Sequence, residues 1–108
     1  MPNYNKLVRD YIPEIIKKTG KQYSTRILND EEYISELKKK SFEELNEYVI
    51  TENDHNAIAE LVDLLEIIRE LAEIHGASFE EIERVRQIKA EKRGGFKKKI
   101  FLIKVEDE

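Results

Sequence analysis

Glu43-Glu44-Leu45-Asn46-Glu47 and, after a gap of twelve residues, Glu60-Leu61-Val62-Asp63 decide how this chain is read. Residues three apart on a helix lie on one side, one turn from each other. Glu44 and Glu47 therefore project together, and so do Glu60 and Asp63. Four carboxylates converging inside a helical bundle repel one another strongly when unpaired. A hard divalent cation with oxygen ligands, Mg²⁺ or Mn²⁺, removes that repulsion. The two acidic pairs thus predict a metal site between two facing helices.

Spacing alone carries little weight. Twenty-three of the 108 residues are acidic, and Glu70/Glu73 and Glu80/Glu83 repeat the same interval. Position on the helical face separates the pairs. At about 100° per residue with Glu44 at zero, Leu37 falls near 20°, Tyr48 near 40° and Tyr33 near 340°. Glu44 lies inside an apolar arc, with Glu47 at its edge. Set Glu60 at zero and Leu71 falls near 20°, Leu64 near 40° and Ile67 near 340°. Glu60 is inside the second apolar stripe, flanked by Asp63. Glu73 falls on the more polar side. Glu70 is about two turns further from the helix connection. Glu80 and Glu83 occupy a first turn, where acids favour the helix dipole. Carboxylates on an apolar stripe are costly unless paired or bound to metal. Salt bridges to Lys or Arg are the alternative to a cation.

Around this centre the chain reads as mainly α. Asp10 is a candidate N-cap for a short helix with Pro13 in its first turn, running to Lys18 and stopped by Gly20. Residues 22–28 are rich in β-formers and predict a short strand. Asn29 or Asp30 caps a long helix to about Thr51, and Asn29 with Glu32 resembles a capping box. Glu52-Asn53-Asp54 is a polar connection, and Asn53 or Asp54 caps a second long helix that continues to about His75 and ends at Gly76. So short a connection makes the two long helices antiparallel neighbours. Both acidic pairs are roughly one to two turns from it, so they meet within one copy of the chain. Ser78 and Glu81 predict a capping box for a further helix, ended by Gly94-Gly95. Residues 99–105 read as a closing strand, expected to pair with 22–28 as a small two-stranded β element.

One domain spanning residues 1–108 is expected from the length. Forty per cent hydrophobic and 39% charged residues fit amphipathic helices rather than disorder. No apolar run approaches transmembrane length and no signal-peptide pattern opens the chain. Without cysteine there are no disulfides and no thiol catalysis, which fits a cytoplasmic protein. The net charge of −4 is unevenly spread: residues 84–99 hold eight Lys or Arg against Glu91 alone, a local charge of +7 that leaves −11 elsewhere. An acidic middle and a basic end suit a substrate with metal-bound phosphates and further negative charge. Lys89, Lys92, Arg93 and Lys97 around Gly94-Gly95-Phe96 are candidate phosphate ligands. The competing reading is a solvated helix end with dipole-favoured cations. Lys6, Arg9 and Asp10 form a second candidate cluster, or simply part of an arm packed through Leu7, Val8 and Ile12.

Glu43-Glu44-x-x-Glu47 followed by Glu60-x-x-Asp63 resembles the signature of the all-α, MazG-like nucleoside triphosphate pyrophosphohydrolases. Asn5-Lys6-Leu7-Val8-Arg9-Asp10 and Lys92-Arg93-Gly94-Gly95-Phe96 resemble its small branch, described as phosphoribosyl-ATP pyrophosphohydrolase-like or house-cleaning. Tyr11 departs from the Lys that similar proteins often carry. The resemblance implies Mg²⁺-dependent cleavage between the α and β phosphates to a monophosphate and pyrophosphate. It implies Glu44, Glu47, Glu60 and Asp63 as metal ligands, with Glu43 and Glu47 orienting or deprotonating the attacking water. It also implies a homodimer or homotetramer whose helices complete the bundle. Phosphoanhydride hydrolysis needs charge neutralisation and an in-line water, which acidic metal ligands with Lys and Arg supply.

Two other classes compete with an enzyme that binds a nucleotide. A non-catalytic helical protein could bind nucleic acid through residues 84–99, although Phe96 is the only aromatic there and the remaining surface is acidic. A helical oligomerisation module would need no ligand. No membrane partner is expected.

Overall fold

A computed structural model describes residues 4–107. The acidic pairs fall on two 21-residue helices joined by a three-residue turn. In chain order the helices are α1 (Ile12–Lys18), α2 (Asp30–Ile50), α3 (Asp54–Ile74) and α4 (Phe79–Arg93). The α2–α3 hairpin is the main packed unit, and α4 packs against α3 alone.

Local chemistry sets the helix ends. Asn29 caps α2 with a complete capping box: its side chain accepts from the Glu32 N–H at 2.8 Å, and Glu32 accepts from the Asn29 N–H at 3.2 Å. Arg26 also grips Glu32 through two hydrogen bonds of 2.8 and 3.1 Å. Asn53 caps α3 by accepting from the Asn56 N–H at 2.8 Å. Asp54 is the first residue of that helix rather than its cap.

Two cap expectations need correction. Asp10 does not cap α1; Tyr11 holds that position and makes no side-chain cap bond, while the Ile12 N–H reaches back to the Arg9 carbonyl. At α4, Ser78 accepts from the Glu81 N–H at 3.1 Å, which is half of a capping box. The Glu81 carboxylate lies instead 3.9 Å from Arg84 one turn on, where a cation competes for it.

The two-stranded element is also corrected: no strand forms among the described residues. Ile27, Ile100, Phe101 and Ile103 are each at least 80% exposed. β-Formers report a fit to a pleated surface, not the existence of a neighbour. A strand requires another backbone to take its N–H and C=O groups, and neither segment has found one within this copy.

Packing is thin. Among the described residues, Leu37 on α2 and Ile67 and Ala72 on α3 are the buried apolar ones, and Glu44 on α2 is buried too. The chain measures 67 × 36 × 25 Å. Its radius of gyration of 18.8 Å exceeds the about 13 Å of a compact chain of this length. Arg69 stacks on the Phe79 ring, 4.9 Å from its centre, where α3 turns into α4. Along α4, Ile82, Val85 and Ile88 line an apolar stripe that is 39–50% exposed.

Candidate metal centre

Glu44, Glu47 and Glu60 come together across the hairpin, with one carboxylate oxygen from each lying within 4.8 Å of the others. The reason is the one the helical wheel supplied. Glu44 shares the inward face of α2 with Leu37, the other buried residue of that helix. Glu60 sits on the matching face of α3, seven residues before buried Ile67. The three-residue turn brings these levels opposite each other.

Glu44 is 92% buried by its 8% residual exposure, yet its Oε2 has no hydrogen-bond partner. Glu60 Oε2 is likewise buried without a partner. A buried acceptor left unmatched carries its full desolvation penalty. The nearest cation to Glu44 is Lys40, one turn earlier on α2, at 4.0 Å from Oε1. That contact is too long for a hydrogen bond, so it offsets only part of the charge.

Electrostatics of the trio follow from like charges held close. Contact with Glu60, then burial and the Glu60 charge, holds the Glu47 carboxyl above its ordinary range. Contact with Glu44 raises Glu60, assisted by burial and by the charges of Glu44 and Asp63. Two carboxyl groups that resist ionisation beside two orphaned oxygens fit a donor set for a hard divalent cation. All donors are oxygen, which suits Mg²⁺ or Mn²⁺ and disfavours softer metals.

The other expected residues are dispersed. Asp63 is outside the trio, and its Oδ1 accepts from the Arg9 guanidinium at 2.7 Å. Glu43 is outside the trio and lines a small hollow with Lys6, Leu7, Glu36, Lys39 and Lys40. Lys6 also lies over the Tyr4 ring, 5.6 Å from its centre. Lys89 lines an open groove with His75 and Gly76 at the bend between α3 and α4, the end of α3 remote from Glu60. Lys92, Arg93 and Lys97 are exposed and make no ion pair among the described residues. The basic end is therefore not assembled onto the carboxylates by this copy's own packing.

Sequence reasoning did not find the pairing of Arg9 with Asp63 or of Lys40 with Glu44. The second had a local signal, since Lys and Glu four apart are neighbours on a helix. The first had none, because 54 residues separate its partners. Comparison of the chain with protein-family models, with curated proteins and with solved structures returns no match.

Proposed function

We propose that this protein is a metal-dependent nucleotide pyrophosphohydrolase. It cleaves a nucleoside triphosphate, or a phosphoribosyl-ATP-like substrate, to a monophosphate and pyrophosphate. The observation that carries the reading is the unpartnered pair Glu44 Oε2 and Glu60 Oε2 within a three-carboxylate cluster. An acidic cluster needs no cation when it is exposed. A 92%-buried glutamate with an orphaned oxygen, set against two more carboxylates, calls for one.

Glu44, Glu47 and Glu60 hold the cation, with Asp63 one turn along α3 as the fourth acidic group. When bound, Mg²⁺ or Mn²⁺ neutralises polyphosphate charge and makes a bound water more acidic. Glu47 is the exposed member of the trio and the first candidate to orient or deprotonate the attacking water. Glu43, on the adjoining face, is the second candidate for orienting that water. Lys6, against α2, and Arg9, at Asp63 of α3, supply cations for phosphate.

The active form is a homodimer or homotetramer. Accessible surface supports this: the chain exposes 10464 Å², against about 6,300 Å² for a folded monomer of its mass. The excess is several times the roughly 800 Å² that each partner gives up in a standard interface. Lys89, Lys92 and Arg93 lie on α4 and Lys97 just beyond it, and they can meet a carboxylate cluster only in such an assembly.

The test is pyrophosphate release from a panel of canonical and modified nucleoside triphosphates and phosphoribosyl-ATP, with and without Mg²⁺. The expected result is metal-dependent release with the matching monophosphate. Glu47→Gln and Asp63→Asn should each abolish turnover while the helical circular dichroism persists. Full activity in both variants would overturn the site.

A further inference from the structure

The hydrogen bond between Arg9 and Asp63 joins the N-terminal arm to α3 across 54 residues of sequence. Nearby, Lys6 and Leu7 lie against Glu36, Lys40 and Glu43 of α2. The charge of Asp10 reaches Tyr33, whose hydroxyl bonds Glu70 of α3 at 3.2 Å. Residues 6–10 therefore touch both helices of the hairpin, with Arg9 held at Asp63, one helical turn from Glu60. Asp63 is electrostatically part of that site, since its charge contributes to raising Glu60. Its oxygen is nonetheless held by Arg9 rather than turned toward Glu44, Glu47 and Glu60.

We propose that Arg9 is a built-in counter-ion for Asp63 that a divalent cation displaces. The inference rests on the metal reading above and deepens it. In the metal-free protein Arg9 neutralises the one acidic group of the quartet that stands apart from the trio. Asp63 lies one helical turn from Glu60, so a divalent cation held by the trio repels the guanidinium that Asp63 holds, with solvent screening part of that repulsion. The Arg9–Asp63 pair is weakly held by comparison. Its side chains are 53% and 42% exposed, and exposed ion pairs contribute little. Arg9 is thus the group that yields. Asp63 then turns to the cation, and the released guanidinium, still tethered by Lys6 and Leu7, faces the place where metal-bound phosphate arrives. Its planar fork suits phosphate oxygens.

Calorimetric Mn²⁺ titration of the full chain, without nucleotide, tests this in wild type, Arg9→Gln, Asp63→Asn and the double variant. Arg9→Gln is expected to bind Mn²⁺ about two- to five-fold tighter than wild type, the scale an exposed ion pair commands. Asp63→Asn should bind more weakly than wild type. Arg9→Gln should give a clearly smaller gain in the Asp63→Asn background, because the competition for Asp63 is gone and only the like-charge repulsion is relieved. Unchanged or weaker Mn²⁺ binding in Arg9→Gln overturns the proposal. So does an equal gain in both backgrounds, which would mark a through-space charge effect rather than occupation of Asp63. Wild type that takes up no Mn²⁺ overturns the metal reading and this proposal together. Wild type that binds while Arg9→Gln is unchanged overturns this proposal alone. The exposure of both side chains means that these substitutions leave the helices intact, which circular dichroism verifies.

Discussion

Glu60 concentrates the conflict at the heart of this protein: an inward-facing acid whose neighbours are acids. Its carboxyl and that of Glu47 are both raised above the ordinary value of 4.5. A carboxyl that holds its proton more tightly in the folded chain contributes stability that is fully present below the ordinary value. That contribution is lost as the pH rises through the raised one. At neutral pH without metal the trio therefore works against the fold. Glu60→Gln should melt higher than wild type at neutral pH in the absence of metal. That advantage should shrink as the pH falls toward 4.5. Saturating Mg²⁺ or Mn²⁺ should raise the wild-type Tm, since a ligand bound only by the native state stabilises it, and Glu60→Gln should lose most of that rise. Scanning fluorimetry across pH, with and without metal, reads all three. A metal-independent Tm in wild type would count against the carboxylate site. At this scale the sequence was informative for Glu44 and Glu60, whose side-chain directions follow from the helical repeat. It was not informative for Asp63. Its partner Arg9 lies on an arm with no helical period, and nothing local to either residue announces the pairing.

Among the elements, caps matter according to what their helix is attached to. Helix α2 carries Leu37 and Glu44 into the hairpin, so its N-terminal box is coupled to global stability. Asn29→Ala should lower the unfolding free energy by about 0.5–2 kcal/mol, measured by denaturant unfolding. Helix α4 also begins with a capping serine, but it buries no residue. Ser78→Ala should therefore speed amide exchange in the first turns of α4 and change the global midpoint little. Equal global losses in the two variants would mean that α4 belongs to the same cooperative unit as the hairpin. The N-terminal boundaries of α2, α3 and α4 were legible because Asn29, Asn53 and Ser78 bond to backbone three residues away, a wholly local interaction. The strands at 22–28 and 99–105 were not. Composition supplied the preference, and only packing could have supplied the partner.

Viewed whole, the molecule exposes a surface that a lone chain has no means to satisfy. Phe42, Val49 and Ile50 on α2 and Ile58 and Val62 on α3 are 56–73% exposed, in addition to the stripe on α4. No helix is long and apolar enough to cross a membrane among the described residues, so these side chains do not form a membrane span. Self-association is the outcome expected for so extended a chain. Light scattering after gel filtration should give a mass that is a multiple of 12.8 kDa. The Tm should rise with protein concentration, as mass action requires when assembly accompanies folding. A monomer throughout, with a concentration-independent Tm, would remove the homo-oligomer and the route by which the basic end reaches a carboxylate cluster.

By itself the sequence determined the helices, most of their ends, the antiparallel hairpin and the facing of Glu44 toward Glu60. Each of these depends on interactions within a few residues or on the length of a three-residue turn, and such information is written locally. Tertiary structure alone decided that three rather than four acids converge, that Asp63 pairs with Arg9, and that Glu43 lines a hollow with Lys6 and Leu7. It also decided that the basic end stands away from its own carboxylates and that the β-forming segments lie unpaired. These depend on where remote segments come to rest, and in a chain with so few buried residues that is set by weak, exposed contacts which no local pattern encodes.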